Sequence, residues 1–194
     1  MDPRLLAWAH AAATRARSRL PPLWLFTDAR RLPDPRPAAK RLPRGLAGVV
    51  LRHDGEPDRL AIGRDLARIC RARRLPLVVA GDVRLAAALG AGVHLRAGRW
   101  PAPIRLRGRL GTSSAHTLVE LRRARRACAS LVFLSPVFAT LSHPDAASLR
   151  AATWTRIAHT SGAVVAALGG IDGATVRRLP RNRCIAIGAI SALA

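Results

Sequence analysis

The 194-residue sequence has almost no lysine, few cysteines and no long apolar run. Its three cysteines, Cys70, Cys128 and Cys184, lie far apart, which argues against a disulfide framework and against a zinc site. No apolar run is long enough to span a bilayer. Residues 5–13 resemble the core of a signal peptide, but they contain His10 and lead straight into an arginine-rich stretch. We therefore expect an amphipathic leading helix and a reducing, cytoplasmic location.

Lysine occurs only at Lys40, so the formal net charge of +22 is built almost entirely from arginine. Strongly basic chains bind nucleic acids or anionic membranes when their cations are clustered. Here the arginines are spread along the chain, and the densest run, at residues 122–126, falls on one predicted helix face. No recognised nucleic-acid motif accompanies them. We therefore expect neither a membrane nor a nucleic acid as a partner.

Eight short apolar runs predict eight strands. They are Trp24–Thr27, Gly48–Leu51, Leu77–Ala80, Gly92–Leu95, Arg109–Ser113, Leu131–Leu134, Ala163–Leu168 and Cys184–Ile187. Helical patterns lie between several of them, for example over Asp58–Arg74 and His116–Ala129. Strands that are apolar on both faces and alternate with helices are typical of a parallel sheet covered by helices.

The number of strands favours a closed barrel over an open sheet. We therefore predict the α/β class and a compact (β/α)8 TIM barrel, formed by residues 1–194 as a single domain. Residues 1–20 are expected to form the leading helix, and the C-terminal end is expected to be shortened. The leading helix would then cover the face that a last helix normally occupies.

Two glycine-rich segments follow the seventh and eighth predicted strands. Leu168–Asp172 reads Leu-Gly-Gly-Ile-Asp and opens a helix, and Ile187–Ile190 reads Ile-Gly-Ala-Ile. Phosphate groups in such barrels are commonly held by these two loops. Glycine lets backbone N–H groups approach an anion closely, and a helix N-terminus adds partial positive charge. The segments therefore predict a phosphate site, although a Gly-Gly turn is as often a plain connection.

Hydroxyl and imidazole side chains follow the fifth and sixth predicted strands, where they could converge with the glycines on one oxyanion. Five such residues are Ser114, His116, Thr140, Ser142 and His143. The structural alternative is that Ser114 or Thr117 caps the following helix and that residues 142–144 form a turn.

Together and in this order, these segments resemble the thiamine phosphate synthase/TenI family over nearly the whole chain. The most specific stretches are Gly92–Leu95, which reads Gly-Val-His-Leu, and Ser135–Thr140, which reads Ser-Pro-Val-Phe-Ala-Thr. The resemblance implies a barrel enzyme of thiamine biosynthesis whose ligands are small phosphate esters. The family's synthase is a transferase that joins an aminopyrimidine methyl diphosphate to a thiazole phosphate.

The resemblance assigns the thiazole phosphate to the loops after strands five to eight. The residues expected there are Ser114, Thr140, Ser142, His143, Gly169, Gly170, Ile187 and Gly188. By the family's pattern, this half of the site is present.

The half that serves the diphosphate and Mg²⁺ departs from the family's pattern. Arg52 keeps the arginine of Gln-Leu-Arg-x-Lys, while Val50 and Asp54 replace the glutamine and the lysine. Asp82 is the only candidate metal ligand after strand three, and Arg99 stands where the family has a second carboxylate. Since Mg²⁺ is bound through carboxylates and phosphate oxygens, its ligands are largely missing. We expect Arg52 to be catalytic, because a fixed cation neutralises charge on a diphosphate leaving group.

Two other functions fit the same residues. In TenI-like members a histidine after strand five moves a proton in a thiazole tautomerase reaction, and His116 falls at that position. A neutral imidazole suits proton transfer at cytoplasmic pH and needs no metal. A protein that only binds thiazole or thiamine phosphate would keep the glycine loops and need no base. The sequence leaves these three functions open, and it leaves open whether copies assemble into a homo-oligomer.

Overall fold

A computed structural model describes residues 1–16, 18–100, 108–140, 148–180 and 183–194. The described residues form eight strands: β1 (Leu23–Phe26), β2 (Ala47–Leu51), β3 (Leu77–Ala80), β4 (Gly92–Leu95), β5 (Gly111–Ala115), β6 (Leu131–Leu134), β7 (Val165–Leu168) and β8 (Ile187–Ala189). Neighbouring strands pair in parallel and in chain order, and β8 pairs with β1 to close the sheet. The predicted eight-stranded barrel is therefore confirmed.

Helices follow most of the strands on the outside of the barrel. Those in the described residues are α1 (Pro3–Arg15), α2 (Arg36–Arg41), α3 (Arg59–Arg73), α4 (Val83–Ala88), α5 (Leu118–Arg126) and α6 (Arg150–Ser161). Single turns of 3-10 helix follow β7 at Val176–Arg178 and β8 at Ser191–Leu193. None of the helices in these ranges combines the length and apolar character needed to cross a membrane.

The leading helix α1 packs one face onto the protein. Asp2 caps it by accepting the Arg4 N–H at 2.8 Å, and Pro3 occupies its first turn. Leu5, Trp8, Ala9 and Ala12, spaced at three and four residues, form its buried face. This helix contacts the 3-10 turn after β7.

Two strands lie further along the chain than the sequence predicts. β5 runs from Gly111 to Ala115 instead of from 109 to 113, and β8 starts at Ile187 instead of 184. Polar Thr112 and Ser113 are accepted in β5 because their hydroxyls are bonded, to His94 Nδ1 at 2.9 Å and to the Leu95 carbonyl at 3.2 Å. A search for apolar runs misses such a strand.

The barrel interior is filled by alternate residues of the strands. The inner cluster consists of Trp24, Phe26, Val50, Val78, Leu131, Phe133, Ala166 and Ala186. A larger cluster lies between the strands and the helices. Because side chains alternate along a strand, the last inward-facing residue of each strand faces the C-terminal end of the barrel, here called the mouth.

Gly188 makes room for an aromatic ring inside the barrel. A Cβ at this position would lie 2.6 Å from Phe26 Cε2 and 2.9 Å from Leu168 Cδ1. We predict that Gly188→Ala lowers the free energy of unfolding by about 1–3 kcal/mol, measured by urea denaturation, because the filled interior must shift. Gly111→Ala is the matched strand control. Its Cβ would meet nothing closer than 3.7 Å, so a loss as large as that of Gly188→Ala would contradict the packing explanation.

Candidate functional site

Three rings form the floor of the mouth. Phe26 packs edge-on against His94 and Phe133, with ring centroids 5.5 Å and 4.8 Å apart. Burial, followed by the charges of Arg52 and Arg96, lowers the pKa of His94 to about 3. His94 is therefore neutral at physiological pH, and the floor carries no charge.

Residues 135–140 after β6, here called the β6 loop, lie against residues 169–172 after β7, here called the β7 loop. The Val137 N–H donates to the Leu168 carbonyl at 2.9 Å, and the Phe138 N–H donates to the Gly169 carbonyl at 3.2 Å. These two bonds fix the β6 loop, which carries Thr140, beside the glycines that follow β7.

Gly169 and Gly170 are required by this close approach. Both have positive φ, +95° and +65°. A Cβ at Gly169 would lie 2.9 Å from Pro136 Cα and 3.3 Å from Thr140 Cγ2. A Cβ at Gly170 would collide with the Ala139 carbonyl. The predicted convergence of Thr140 with the two glycines is therefore present in the structure.

Three consecutive amides at this point have no protein acceptor. Within the described ranges, the N–H groups of Gly169, Gly170 and Ile171 donate to no backbone or side-chain atom. The amides that follow are occupied, since Asp172 N–H donates to Thr175 Oγ1 at 2.9 Å and Thr175 N–H donates back to Asp172 Oδ1 at 2.8 Å. Successive unbonded amides in a glycine turn form a concave donor set of the kind that binds small anions.

The other half of the predicted glycine site behaves differently. The Ile187 side chain is fully buried in the cluster between the strands and the helices. Its N–H donates to the Pro22 carbonyl at 2.8 Å. Gly188 faces the Phe26 ring. The structure does not bring the Ile187 side chain to the mouth, so any part these two residues play in binding a ligand rests on their backbone.

Ser114 and Thr117 have separate tasks. Thr117 caps α5, with its Oγ1 accepting the Glu120 N–H at 3.2 Å, and Glu120 Oε2 accepts the His116 N–H at 2.6 Å. Ser114 Oγ instead accepts the Ala97 N–H at 3.4 Å. The capping alternative therefore holds for Thr117 and not for Ser114, which connects the ends of β4 and β5.

His116 follows β5 and is exposed, with its ring directed to the β6 loop. Its Nδ1 lies 3.0 Å from the Ser135 carbonyl and 3.3 Å from Ser135 Oγ. Because a carbonyl oxygen only accepts, Nδ1 carries the proton when the ring is neutral. The lone pair is then on Nε2, which can accept a proton from a ligand.

Arg52 follows β2 at the opposite side of the floor and is half-buried. Its backbone N–H donates to Thr27 Oγ1 at 2.9 Å, and the same hydroxyl lies 2.9 Å from Nδ1 of buried His53. His53 Nε2 lies 3.2 Å from the Pro33 carbonyl, so the ring is held at both nitrogens. Among the described residues, the Arg52 guanidinium makes no hydrogen bond and no ion pair. It is therefore a positive charge available to a ligand, carried on a backbone that is held in place.

Asp28 lies close enough to Arg52 for the positive charge of Arg52 to lower the pKa of Asp28. Burial acts to raise the pKa of Asp28, but hydrogen bonds from Arg31 and the charges of Arg31 and Arg52 outweigh it and hold the pKa below its usual value. The Arg31 guanidinium donates to Asp28 Oδ2 at 2.9 Å. The Asp28 carboxylate is thus ionised and paired with Arg31.

Asp82 belongs to a network of charges after β2, β3 and β4. Its Oδ1 caps α4 by accepting the Leu85 N–H at 2.9 Å, and its Oδ2 lies 3.7 Å from Arg59. Asp54 pairs with Arg59 at 3.1 Å and with Arg96 at 2.7 Å. No group of three or more His, Cys, Asp or Glu side chains lies together in the described ranges. Every carboxylate oxygen of Asp54 and Asp82 already faces a donor, so these residues do not fit a protein-held Mg²⁺.

Two predicted residues, Ser142 and His143, lie outside the described residues. In contrast, Arg59 and Arg96 belong to the mouth but were not expected there. Arg59 lies in the first turn of α3. Its part in the site follows from its ion pairs with Asp54 and Asp82, which the sequence does not reveal. The available signal for Arg96 was its position in the sequence. It directly follows β4 and lies two residues after His94, so its side chain is expected on the same, inward-facing side.

A separate cavity of about 300 Å³ lies at the other end of the barrel. It is lined by residues that begin β3 and β4, such as Leu77 and Gly92, and by Cys70 of α3. Burial raises the pKa of the Cys70 thiol to about 12, so the thiol is unreactive. The groups able to do chemistry are at the mouth instead.

Comparisons with known proteins point in one direction. The family model described as thiamine monophosphate synthase matches residues 25–193. The thiamine-phosphate synthase of Geobacillus kaustophilus is 32% identical over 175 residues, which cover 82% of this chain and 79% of that protein. That of Anoxybacillus flavithermus is 34% identical over 143 residues, 70% of this chain and 65% of that protein. The match thus spans just under two thirds of the length of this second relative.

Among solved structures, thiamine phosphate pyrophosphorylase from Pyrococcus furiosus superposes with a TM-score of 0.72. The superposition covers 91% of this chain and 88% of that chain at 24% identity. A likeness at this identity supports the barrel fold.

Proposed function

Because this chain belongs to the thiamine monophosphate synthase family, we propose that it couples a thiazole phosphate to a pyrimidine methyl diphosphate. The products are thiamine phosphate and inorganic diphosphate. Family membership supports a role in thiamine biosynthesis, and we propose that the reaction takes place in the cytoplasm. One observation carries the proposal: among the described residues, a guanidinium without an ion pair follows β2 and three unbonded amides follow β7, at the same mouth of the barrel.

The amides support a phosphate site in the β7 loop. Gly169, Gly170 and Ile171 offer three N–H donors side by side, and the Thr140 side chain lies against Gly169. A phosphate monoester at this point would replace water on these donors without breaking a protein hydrogen bond. We propose that the thiazole phosphate is anchored here, with Ser142 and His143 as further candidates.

Arg52 supports a diphosphate site on the other side of the floor. Its backbone is fixed through Thr27 and His53, and its guanidinium makes no ion pair among the described residues. Arginine forms charge-assisted, often bidentate bonds to phosphate oxygens. We propose that Arg52 neutralises the diphosphate as it departs.

The chemistry requires positioning more than proton transfer. The thiazole nitrogen attacks the methylene carbon, the carbon–oxygen bond to the diphosphate breaks, and the bonding electrons leave with the diphosphate. No proton is transferred in this step. Holding both partners at one mouth supplies the proximity, and Arg52 stabilises the charge that develops on the leaving oxygen.

The proposal is tested by incubating purified protein with both substrates. We expect thiamine phosphate and inorganic diphosphate in equal amounts, measured by chromatography of the thiochrome derivative and by a coupled diphosphate assay. The Gly170→Ala variant, whose phosphate loop is disturbed, is the control and should form less thiamine phosphate when thiazole phosphate is not saturating. Absence of thiamine phosphate, with both substrates shown to bind, would refute the coupling activity.

His116 supports a second candidate function, thiazole tautomerisation. Its Nδ1 is committed to the Ser135 carbonyl, which leaves Nε2 as a free base. Under the coupling proposal, we predict that His116→Ala lowers the turnover rate by less than about tenfold, since the step moves no proton. Loss of an acid–base group that transfers a proton typically costs about a hundredfold or more.

The measurements are the turnover rate of thiamine phosphate formation and the affinity for thiazole phosphate. His159→Ala on α6 is the control histidine variant. A fall of about a hundredfold with unchanged affinity would assign proton transfer to His116 and contradict a coupling step that moves no proton.

A further inference from the structure

We propose that this protein binds the diphosphate of its substrate with arginine side chains and does not use Mg²⁺. The proposal rests on the proposed function, because it concerns the same diphosphate site. It follows from the carboxylates that are already paired, from the charge balance of the network and from the way the arginines are held.

Asp54 and Asp82 are the carboxylates at this side of the mouth among the described residues, and each of their oxygens already faces a donor. Asp82 Oδ1 accepts the Leu85 N–H, and Asp82 Oδ2 faces Arg59. Asp54 Oδ1 lies 3.1 Å from Arg59 Nη2, and Asp54 Oδ2 lies 2.7 Å from Arg96 Nη2. Mg²⁺ requires near-octahedral oxygens at about 2.1 Å. Binding it here would displace the helix cap or break these ion pairs.

The charge of the network favours an anion over a cation. Arg59 and Arg96 balance Asp54 and Asp82, and Arg52, which makes no ion pair among the described residues, adds one further positive charge. Burial is the main cause of the lowered pKa of His94, and the charges of Arg52 and Arg96 add to it, so both arginines act on the floor of the mouth. A divalent cation entering the field of these charges is repelled, while the oxygens of a diphosphate are attracted.

Asp54 and Arg59 act as positioning residues for Arg96. Arg59 is 16% exposed and donates to the Ala80 carbonyl at 2.6 Å, which anchors it after β3. Through Asp54 it holds Arg96, whose side chain lies over Gly81, 3.0 Å from the place of a Cβ there. The Arg96 side chain is 61% exposed. Its remaining donors are therefore open to solvent, where a ligand can reach them.

Charge has changed sign at two of the family's positions. By the family's pattern, Asp54 stands in the place of a lysine, and Arg99 stands in the place of a carboxylate in the segment after β4. In the structure Asp54 and Arg96 pair with each other. The cation Arg96 therefore lies in the segment where the family's pattern has a metal ligand. Arginine stays protonated at every relevant pH, so it supplies a permanent charge.

The first test is calorimetric binding of inorganic diphosphate, with EDTA and with millimolar Mg²⁺. We expect the affinity in EDTA to equal or exceed that with Mg²⁺, which competes for free diphosphate. Arg96→Gln should weaken binding at least about tenfold, the cost of one charge-assisted contact. Arg68→Gln, on an exposed face of α3, is the control and should change nothing. Diphosphate binding that EDTA weakens about tenfold or more would overturn the proposal.

The second test restores the family's charges with the double variant Asp54→Lys/Arg99→Asp. We expect its diphosphate affinity to rise with Mg²⁺ and to fall with EDTA, opposite to the natural protein. Equal metal response in both proteins would overturn the assignment. If the natural protein binds diphosphate in EDTA but forms no thiamine phosphate, the proposed function fails and this inference stands. If thiamine phosphate forms only with Mg²⁺, the inference fails and the function stands.

Discussion

Replacing Arg52 with glutamine will lower the rate of thiamine phosphate formation by at least about a hundredfold, the usual cost of removing one group that stabilises transition-state charge. The guanidinium is half-buried, held near the floor of the mouth and without an ion pair among the described residues. Glutamine keeps a polar side chain, but it is shorter than arginine and lacks the charge. The affinity for thiazole phosphate should stay within about threefold, since that ligand binds across the floor.

The measurement is steady-state turnover together with calorimetric binding of each substrate. Arg68→Gln, which removes an equal charge from an exposed position on α3, separates a local effect from the general loss of positive charge. Equal turnover in Arg52→Gln and the natural protein would remove Arg52 from the reaction.

Gly170→Ala will weaken binding of the thiazole phosphate by at least about tenfold. Alanine at φ +65° costs about 1 kcal/mol, and its Cβ would lie 2.8 Å from Phe138 Cβ as well as against the Ala139 carbonyl. The β6 and β7 loops must separate to admit it, which disperses the three amides. The turnover rate at saturating thiazole phosphate should change far less than KM.

Gly45→Ala is the matched control, because Gly45 has φ +73° and no atom lies within 4 Å of the position that an added Cβ would take. This substitution introduces the same backbone strain without moving a loop. If Gly170→Ala folds, as judged by circular dichroism, and binds thiazole phosphate as tightly as Gly45→Ala does, the β7 loop is not the phosphate site.

The fold was accessible from sequence because each barrel strand is short, apolar and followed by helical punctuation. The pattern at Leu131–Leu134 gave its strand correctly to the residue. It failed where hydroxyls replace apolar residues, as in β5, whose Thr112 and Ser113 are accepted only through bonds to neighbouring strands. The hydrogen-bond partners of these hydroxyls lie in the neighbouring strand β4, so the sequence of β5 alone does not show them.

The candidate site was accessible in part. Glycine and hydroxyl residues after β5, β6 and β7 are local signals, and the structure brings Thr140, Gly169 and Gly170 together. The Arg59–Asp54–Arg96 network joins residues from three separate loops and helices, so no local pattern could indicate it. The Ile187 side chain lies in the cluster between the strands and the helices, so the prediction for Ile187 and Gly188 now concerns only their backbone.

Several arginines serve the fold, which accounts for part of the charge excess. Arg73 donates to the Leu42 carbonyl at 2.7 Å, Arg109 to the Gly90 carbonyl and Arg123 to the Ala97 carbonyl at 3.2 Å. Each bond joins two loops or a helix and a loop. The arginine run at residues 122–126 is thus not a uniform exposed face, because Arg123 is directed to the segment after β4.

The most direct test of the whole account is a crystal structure of the protein with thiamine phosphate and inorganic diphosphate bound. The account predicts the phosphate monoester within about 3 Å of the Gly169, Gly170 and Ile171 nitrogens, and the diphosphate within about 3 Å of the Arg52 and Arg96 guanidinium groups. Ligands bound at the opposite end of the barrel, or a phosphate held away from the β7 loop, would contradict it.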